Sequence, residues 1–230
     1  MAKSGTGIDQ DALVSMFAQA TAQQGETLRK AVSETTLKAL QGRELTVENI
    51  RKVLKTVTEA ASTGAAQNLT AGPDVADLLE KAFAGMDAAL LQAVEAQRKA
   101  LQQFVEQGVD MKDKPMKSAM DHLEKMEDVF FKTVSKATQG SAGGAMQAPW
   151  QQVLDSMKLK GTDTGAQAGV AVEQLMAQAQ TALREGRATG MRTAQTMLDS
   201  YAALVSGVLI GMSEGVQSGA GAGVGKSRKK

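Results

Sequence analysis

Residues that could do acid–base, metal or nucleophilic chemistry are few in this chain, and none is grouped. The single histidine, His122, stands beside Asp121 on the polar flank of an apolar helix pattern and reads as a solvated helix residue. A metal site would need further His or Cys ligands, and the chain has no second histidine and no cysteine. The absence of cysteine also removes disulfides and cysteine nucleophiles, and it fits a reducing compartment. No acidic spacing resembles a calcium loop. The segment GAGAGVGKS (219–227) has a superficial likeness to a phosphate loop. Only three residues separate Gly221 from Gly225, and no following helix is there to supply an N-terminal dipole. Acid–base work would fall to Asp and Glu alone, with no sign of a buried pair. The expected class is non-enzymatic, with no cofactor and no metal.

Three other groups of residues offer contact rather than chemistry. Met116, Met120, Leu123, Met126, Phe130 and Phe131 fall on one helix face. Such a face is either core or an adaptable apolar surface for a soft partner, because thioether side chains are flexible. Gly207, Gly211 and Gly215 recur every fourth residue beside Val208 in YAALVSGVLIGMSEGV (201–216), the most apolar window of the chain. That spacing suits close helix crossing, a membrane dimer face, or glycine tolerated near a fraying end. Lys226, Arg228, Lys229 and Lys230 form a short basic tail. It is either solvated or a weak, salt-sensitive tether to polyphosphate, DNA or anionic lipid.

The elements that carry these residues read as helices throughout. Asp9 is a candidate N-cap for a helix bearing Leu13, Met16 and Phe17, which Gly25 breaks or bends. A weaker helix covers 27–41 and ends at Gly42. Thr46 caps a third, with Val47, Ile50, Val53, Leu54, Val57 and Ala61 on one face and Arg51, Lys52 and Lys55 opposite. Gly72-Pro73-Asp74 is the firmest boundary. From 74 to about 107 a helix of roughly 50 Å is expected. A turn at 108–115 reverses the chain into a helix ending near Thr138, giving a long αα-hairpin. After a Gly/Ala/Ser linker, Pro149-Trp150 opens a short helix to about Lys158, and Gly161–Gly165 is another break. A last helix is expected over 166–216, kinked near Gly186 and Gly190.

Composition sets the limits of the object. The 230 residues are 43% hydrophobic but only 3% aromatic, with 13 Met and three Pro. Such a chain favours long Ala-rich helices over a thick aromatic core. The net charge of +1 gives no global field toward nucleic acid or membrane. No run approaches the ~18 apolar residues of a membrane span, so no transmembrane span is expected. The N-terminus shows no apolar run or cleavage pattern of a secretory signal. The organisation expected is an N-terminal helical region (1–71), a helical hairpin (72–138), a linker with a short helix (139–165), a C-terminal helix (166–217) and a flexible basic tail (218–230). The fold class is all-α: an extended antiparallel helical bundle with a long hairpin and a kinked C-terminal helix. Thin stripes of this length point to a homo-oligomer.

MDAALLQAVEAQRKALQQFVEQG (86–108) and VEQLMAQAQTALREG (172–186) are Ala/Gln-rich amphipathic helices in a chain with no Cys and few aromatics. In this style, over roughly 70–215, the sequence resembles bacterial phasins, the helical proteins that coat polyhydroxyalkanoate granules. The resemblance implies amphipathic coating of a polyester surface, coiled-coil oligomerisation and a cytoplasmic location. It carries over no site residue. The alternatives from the residues themselves are a soluble oligomeric scaffold with its stripes satisfied internally, or a nucleoid-associated protein acting through the tail.

Overall fold

The computed structural model describes residues 8–19, 25–42, 44–67, 75–107, 109, 114–139, 144–184, 201 and 204–212. Among these there is no strand, and the chain is an all-α helical bundle. The helices are α1 (Gln10–Gln19), α2 (Gly25–Gln41), α3 (Val47–Gln67), α4 (Val75–Glu106), α5 (Lys114–Glu124), α6 (Met126–Thr138), α7 (Gln147–Lys160) and α8 (Asp163–Arg184). Residues 204–212 are also helical.

Local chemistry accounts for several ends. The Asp9 Oδ1 accepts the Ala12 N–H at 3.0 Å, and the Thr46 Oγ1 accepts the Asn49 N–H at 3.2 Å. Both satisfy donors that the first helical turn leaves without a partner. Gly161, at φ 75°, closes α7 by donating its N–H to the Met157 carbonyl at 2.9 Å. That conformation is open to glycine without steric cost. The expected break at 161–165 is therefore only two residues long, and α8 begins at Asp163 rather than 166.

α4 is the central helix. Its 32 residues span about 48 Å. It buries Leu78, Leu79, Phe83, Met86, Leu90, Val94 and Leu101, as the stripe predicts, but also Gly85, Ala89, Ala96 and Ala100. The small residues give it a second packing surface, so it is covered on more than one side. Its main neighbours are α2 and α8, with α7 and α3 beside them.

The expected long hairpin takes a different form. α6 lies chiefly against α3, and α5 against α8, while α5 meets α4 only briefly. A break at Lys125 (φ −87°, ψ 5°) separates α5 from α6 where one helix was expected. Backbone hydrogen bonds cross it, Lys125 N–H to the Asp121 carbonyl at 3.1 Å and Val129 N–H to the Lys125 carbonyl at 2.9 Å. The two halves keep a common apolar face but address different neighbours. One core cluster then runs from Ile8 to Leu209, across the expected boundaries at 71/72, 138/139 and 165/166. Gly72-Pro73-Asp74, the kink at Gly186 and Gly190, Gly215 and the basic tail lie outside the described residues.

Candidate functional site

The Met/Phe face is turned inward. Met116, Met120, Leu123, Met126 and Phe130 are buried, and Phe131 is half-buried. Phe83 of α4 stacks on Phe130 with ring centroids 4.4 Å apart, and Phe131 lies 5.5 Å from Phe83. Of the two readings of this face, core is the one the fold adopts. As folded, the five buried side chains are not a surface for a partner, and Phe131 alone keeps part of its ring open, at the edge of a groove beside α7. The reason is that α4, α3 and α8 cover the five, and stacked aromatics bury more area there than an open face could.

The glycines change roles in a similar way. A Cβ placed on Gly207 or Gly211 would meet nothing within 4 Å among the described residues, and both glycines are exposed. Val208 is half-buried, with Val205 and Leu209 buried beside it. Within the described chain, then, Gly207 and Gly211 allow no close helix crossing. Gly64 and Gly85 do. A Cβ on Gly64 would fall 2.4 Å from the Phe17 Cβ, and one on Gly85 would fall 2.6 Å from the Arg29 carbonyl oxygen. These are the points where α1 meets α3 and α2 meets α4.

The most connected polar cluster is the α7–α8 junction. The Asp163 N–H donates to Asp87 Oδ2 at 3.0 Å and the Thr164 N–H to Asp87 Oδ1 at 3.2 Å. The Thr164 hydroxyl donates to the Asp87 carbonyl at 3.0 Å. From the other side, the Thr162 N–H and hydroxyl donate to Glu127 Oε1 at 3.1 and 2.6 Å. The Gly165 N–H completes the cap on Thr162 Oγ1 at 2.9 Å. Two carboxylates from α4 and α6 thus satisfy the first turn of α8, where negative charge is favoured. Burial pushes the Asp87 carboxyl above its ordinary value, although these hydrogen bonds oppose the rise. The donors named here are all used within the protein, and they pin the start of α8 to α4 and α6. A carboxylate at 87, inside the apolar stripe of α4 next to Met86, was the signal in the sequence. Thr162-Asp163-Thr164-Gly165 was its capping counterpart.

A second anchor fixes α7. The Trp150 indole N–H donates to the Ser62 hydroxyl oxygen at 2.8 Å, and the Ser62 hydroxyl donates to the Thr58 carbonyl at 2.7 Å. Trp150 is fully buried. His122 is exposed. Among the described residues no group of three or more His, Asp or Glu could hold a metal ion. None of their helices is long and apolar enough to cross a membrane.

The outer surface departs from an ordinary charged exterior at α8. Between Asp163 and Arg184 only Glu173 carries charge. Val170 and Met176 are 44% and 46% exposed on this helix, and Leu159, at the end of α7, is 90% exposed.

Fold and surface together define an all-helical bundle built on buried, capped helix junctions. The chain belongs to a family of unknown function, DUF6781, whose model matches residues 3–218. No curated protein and no solved structure matches it at a significant level.

Proposed function

We propose that this chain is a non-enzymatic helical scaffold that works by association with a second copy of itself through the outer face of α8. The observation that supports this is the charge pattern of that helix. Ala166, Gly169, Val170, Glu173, Ala177 and Gln180 point outward. The exposed side of α3, by contrast, carries Arg51, Lys52 and Lys55. Small and sparsely charged residues at these spacings allow two helices to approach closely. The internal stripes are already satisfied by the bundle, which leaves α8 as the apolar contact of choice.

The test is sedimentation of the full chain beside the variant Val170→Glu/Met176→Glu. The parent sediments as an oligomer, and the variant sediments as a monomer with an unchanged melting temperature. A monomeric parent overturns the reading.

A second reading follows the phasin resemblance: a cytoplasmic coat for a hydrophobic surface such as a polyester granule. The observation in its favour is that the closed core holds polar atoms without a hydrogen-bond partner among the described residues, namely Thr36 Oγ1, Gln97 Oε1 and Tyr201 OH. Each such group costs about 1–3 kcal/mol in the closed state, which lowers the cost of opening the bundle onto a surface. In this reading the inward Met/Phe face becomes the contact face once the helices part. Co-sedimentation with polyester particles, together with exposure of Trp150 on binding, is its signature. Protein that stays in solution beside the particles excludes it.

A further inference from the structure

α6 is flanked by two open grooves whose walls are lined with cations. On the side facing α3, a groove of about 560 Å³ is lined by Arg51, Lys52, Lys55, Lys132 and Lys136, with Glu59 as its one carboxylate. On the side facing α7, a groove of about 760 Å³ is lined by Lys132, Lys136 and Lys158, with Phe131, Ser135 and Gln139 beside them and with Glu127 and Asp128. Lys132 and Lys136 therefore stand on a single ridge and reach both grooves. The chain as a whole carries only +1, so this concentration of positive charge is local to one face.

The carboxylates on this face cancel part of it: the α3-side groove sets five cations against one lining carboxylate and carries most of the excess, whereas the α7-side groove sets three against two. Glu127 accepts from Thr162 in the α8 cap and keeps its negative charge there, at the α7-side groove. Lys132 pairs with Asp128 at 3.1 Å, Lys52 with Glu48 at 2.7 Å, Lys55 with Glu59 at 3.7 Å and Lys158 with Asp155 at 3.8 Å. All four are exposed pairs along their own helices, and pairs of that kind are weak and readily exchanged. Arg51 and Lys136 take part in none of the ion pairs among the described residues. On α3, Arg51 and Lys55 are one helical turn apart, and on α6 so are Lys132 and Lys136. Each row thus repeats its charge about every 6 Å along the helix axis. α3 and α6 pack directly against each other, so the two rows face across one groove.

From this arrangement we infer that the α3–α6–α7 face binds the phosphodiester backbone of a single-stranded nucleic acid. A linear polyanion fits a groove with cations spaced along both walls. A flat anionic membrane would touch only the ridge. A half-buried aromatic, Phe131, sits in the wall of the α7-side groove, and single-strand sites combine such a side chain with a cationic track. Affinity would come from counterion release and would fall steeply with salt, with little preference for base sequence. The face is separate from the outer side of α8 and independent of the scaffold reading.

The experiment uses the full chain and a fluorescently labelled 20-nucleotide single strand, titrated by anisotropy at several salt concentrations. The parent binds, and log K falls linearly with log salt. Lys132→Gln/Lys136→Gln weakens binding at least tenfold at low salt. It also flattens the salt slope by about 0.7 for each phosphate no longer neutralised. Arg51→Gln/Lys55→Gln acts in the same direction. All four positions are exposed, and circular dichroism melts confirm that the variants stay folded. Lys30→Gln/Lys38→Gln on α2, which lines neither groove, leaves binding unchanged. A quadruple Gln variant at Lys226, Arg228, Lys229 and Lys230 separates groove from tail. If that variant abolishes binding while the groove variants retain it, the inference is overturned. Absence of single-strand binding by the parent overturns it as well, as does binding only to duplex or only to anionic vesicles.

Discussion

At Gly85 one added carbon would lie 2.6 Å from the Arg29 carbonyl oxygen, a separation that side-chain Cβ atoms do not adopt. Gly85→Ala therefore pushes α2 away from α4 and is expected to destabilise the fold by about 1–3 kcal/mol, read from a denaturant midpoint. Gly64→Ala acts alike between α1 and α3. Gly207→Ala and Gly211→Ala meet nothing within 4 Å among the described residues and remove a poor helix former, so they are expected to be neutral or to stabilise by up to about 1 kcal/mol. Asp87 is the other residue whose single group decides something. Burial raises its carboxyl pKa above the ordinary 3.8, against the opposing bonds from Thr164 and the Asp163 backbone. A group whose folded value is raised gives stability that is complete below its unfolded pKa and is lost as pH rises through the folded one. The Asp87 contribution thus declines as pH climbs from about 3.8 upward. Asp87→Asn removes that decline, measured as the difference between the two proteins' stability–pH profiles. Asp87→Ala abolishes the cap and costs about 1–3 kcal/mol at neutral pH by leaving buried N–H groups without acceptors.

Helices are held to each other here by a few polar pins set into apolar faces. α7 is docked by the Trp150–Ser62 hydrogen bond, and α8 by Asp87 and Glu127 at its start. Gln167 on α8 also donates to Glu95 on α4, which holds the helix further along. Ser62→Ala leaves the Trp150 N–H buried and unpaired, so a loss of about 1–3 kcal/mol is expected. The accompanying change in indole fluorescence would localise the effect to α7. The same substitution at an exposed serine such as Ser15 on α1 is the control. The break at Lys125 belongs to this scale too. It lets the Met/Phe stripe turn between neighbours while remaining buried on both sides of the turn.

For the whole molecule, one core from Ile8 to Leu209 implies that the described helices unfold together. Trp150 is the only tryptophan and is fully buried, so its emission reports the closed state. On self-association through α8 the emission stays blue; on opening onto a polyester surface it shifts red. Fluorescence during titration with polyester particles therefore distinguishes the two functional readings in one measurement. The sequence by itself determined the helical class, the span of α4, the caps at Asp9 and Thr46 and the apolar stripes, because these follow from spacing and local hydrogen bonding along one chain. It also held, unread, the misplaced carboxylate at 87. Only the tertiary structure decided which stripe faces which. A helix face with Met116, Phe130 and their neighbours has the same pattern whether it meets another helix or a foreign surface. Glycines at 64, 85, 207 and 211 are chemically alike. Whether one is a crossing point depends on what backbone passes within 3 Å of it, and that is a distance between segments far apart in the chain. The cationic rows of α3 and α6 are likewise ordinary solvated faces when read singly, and they become a groove only when the two helices lie side by side.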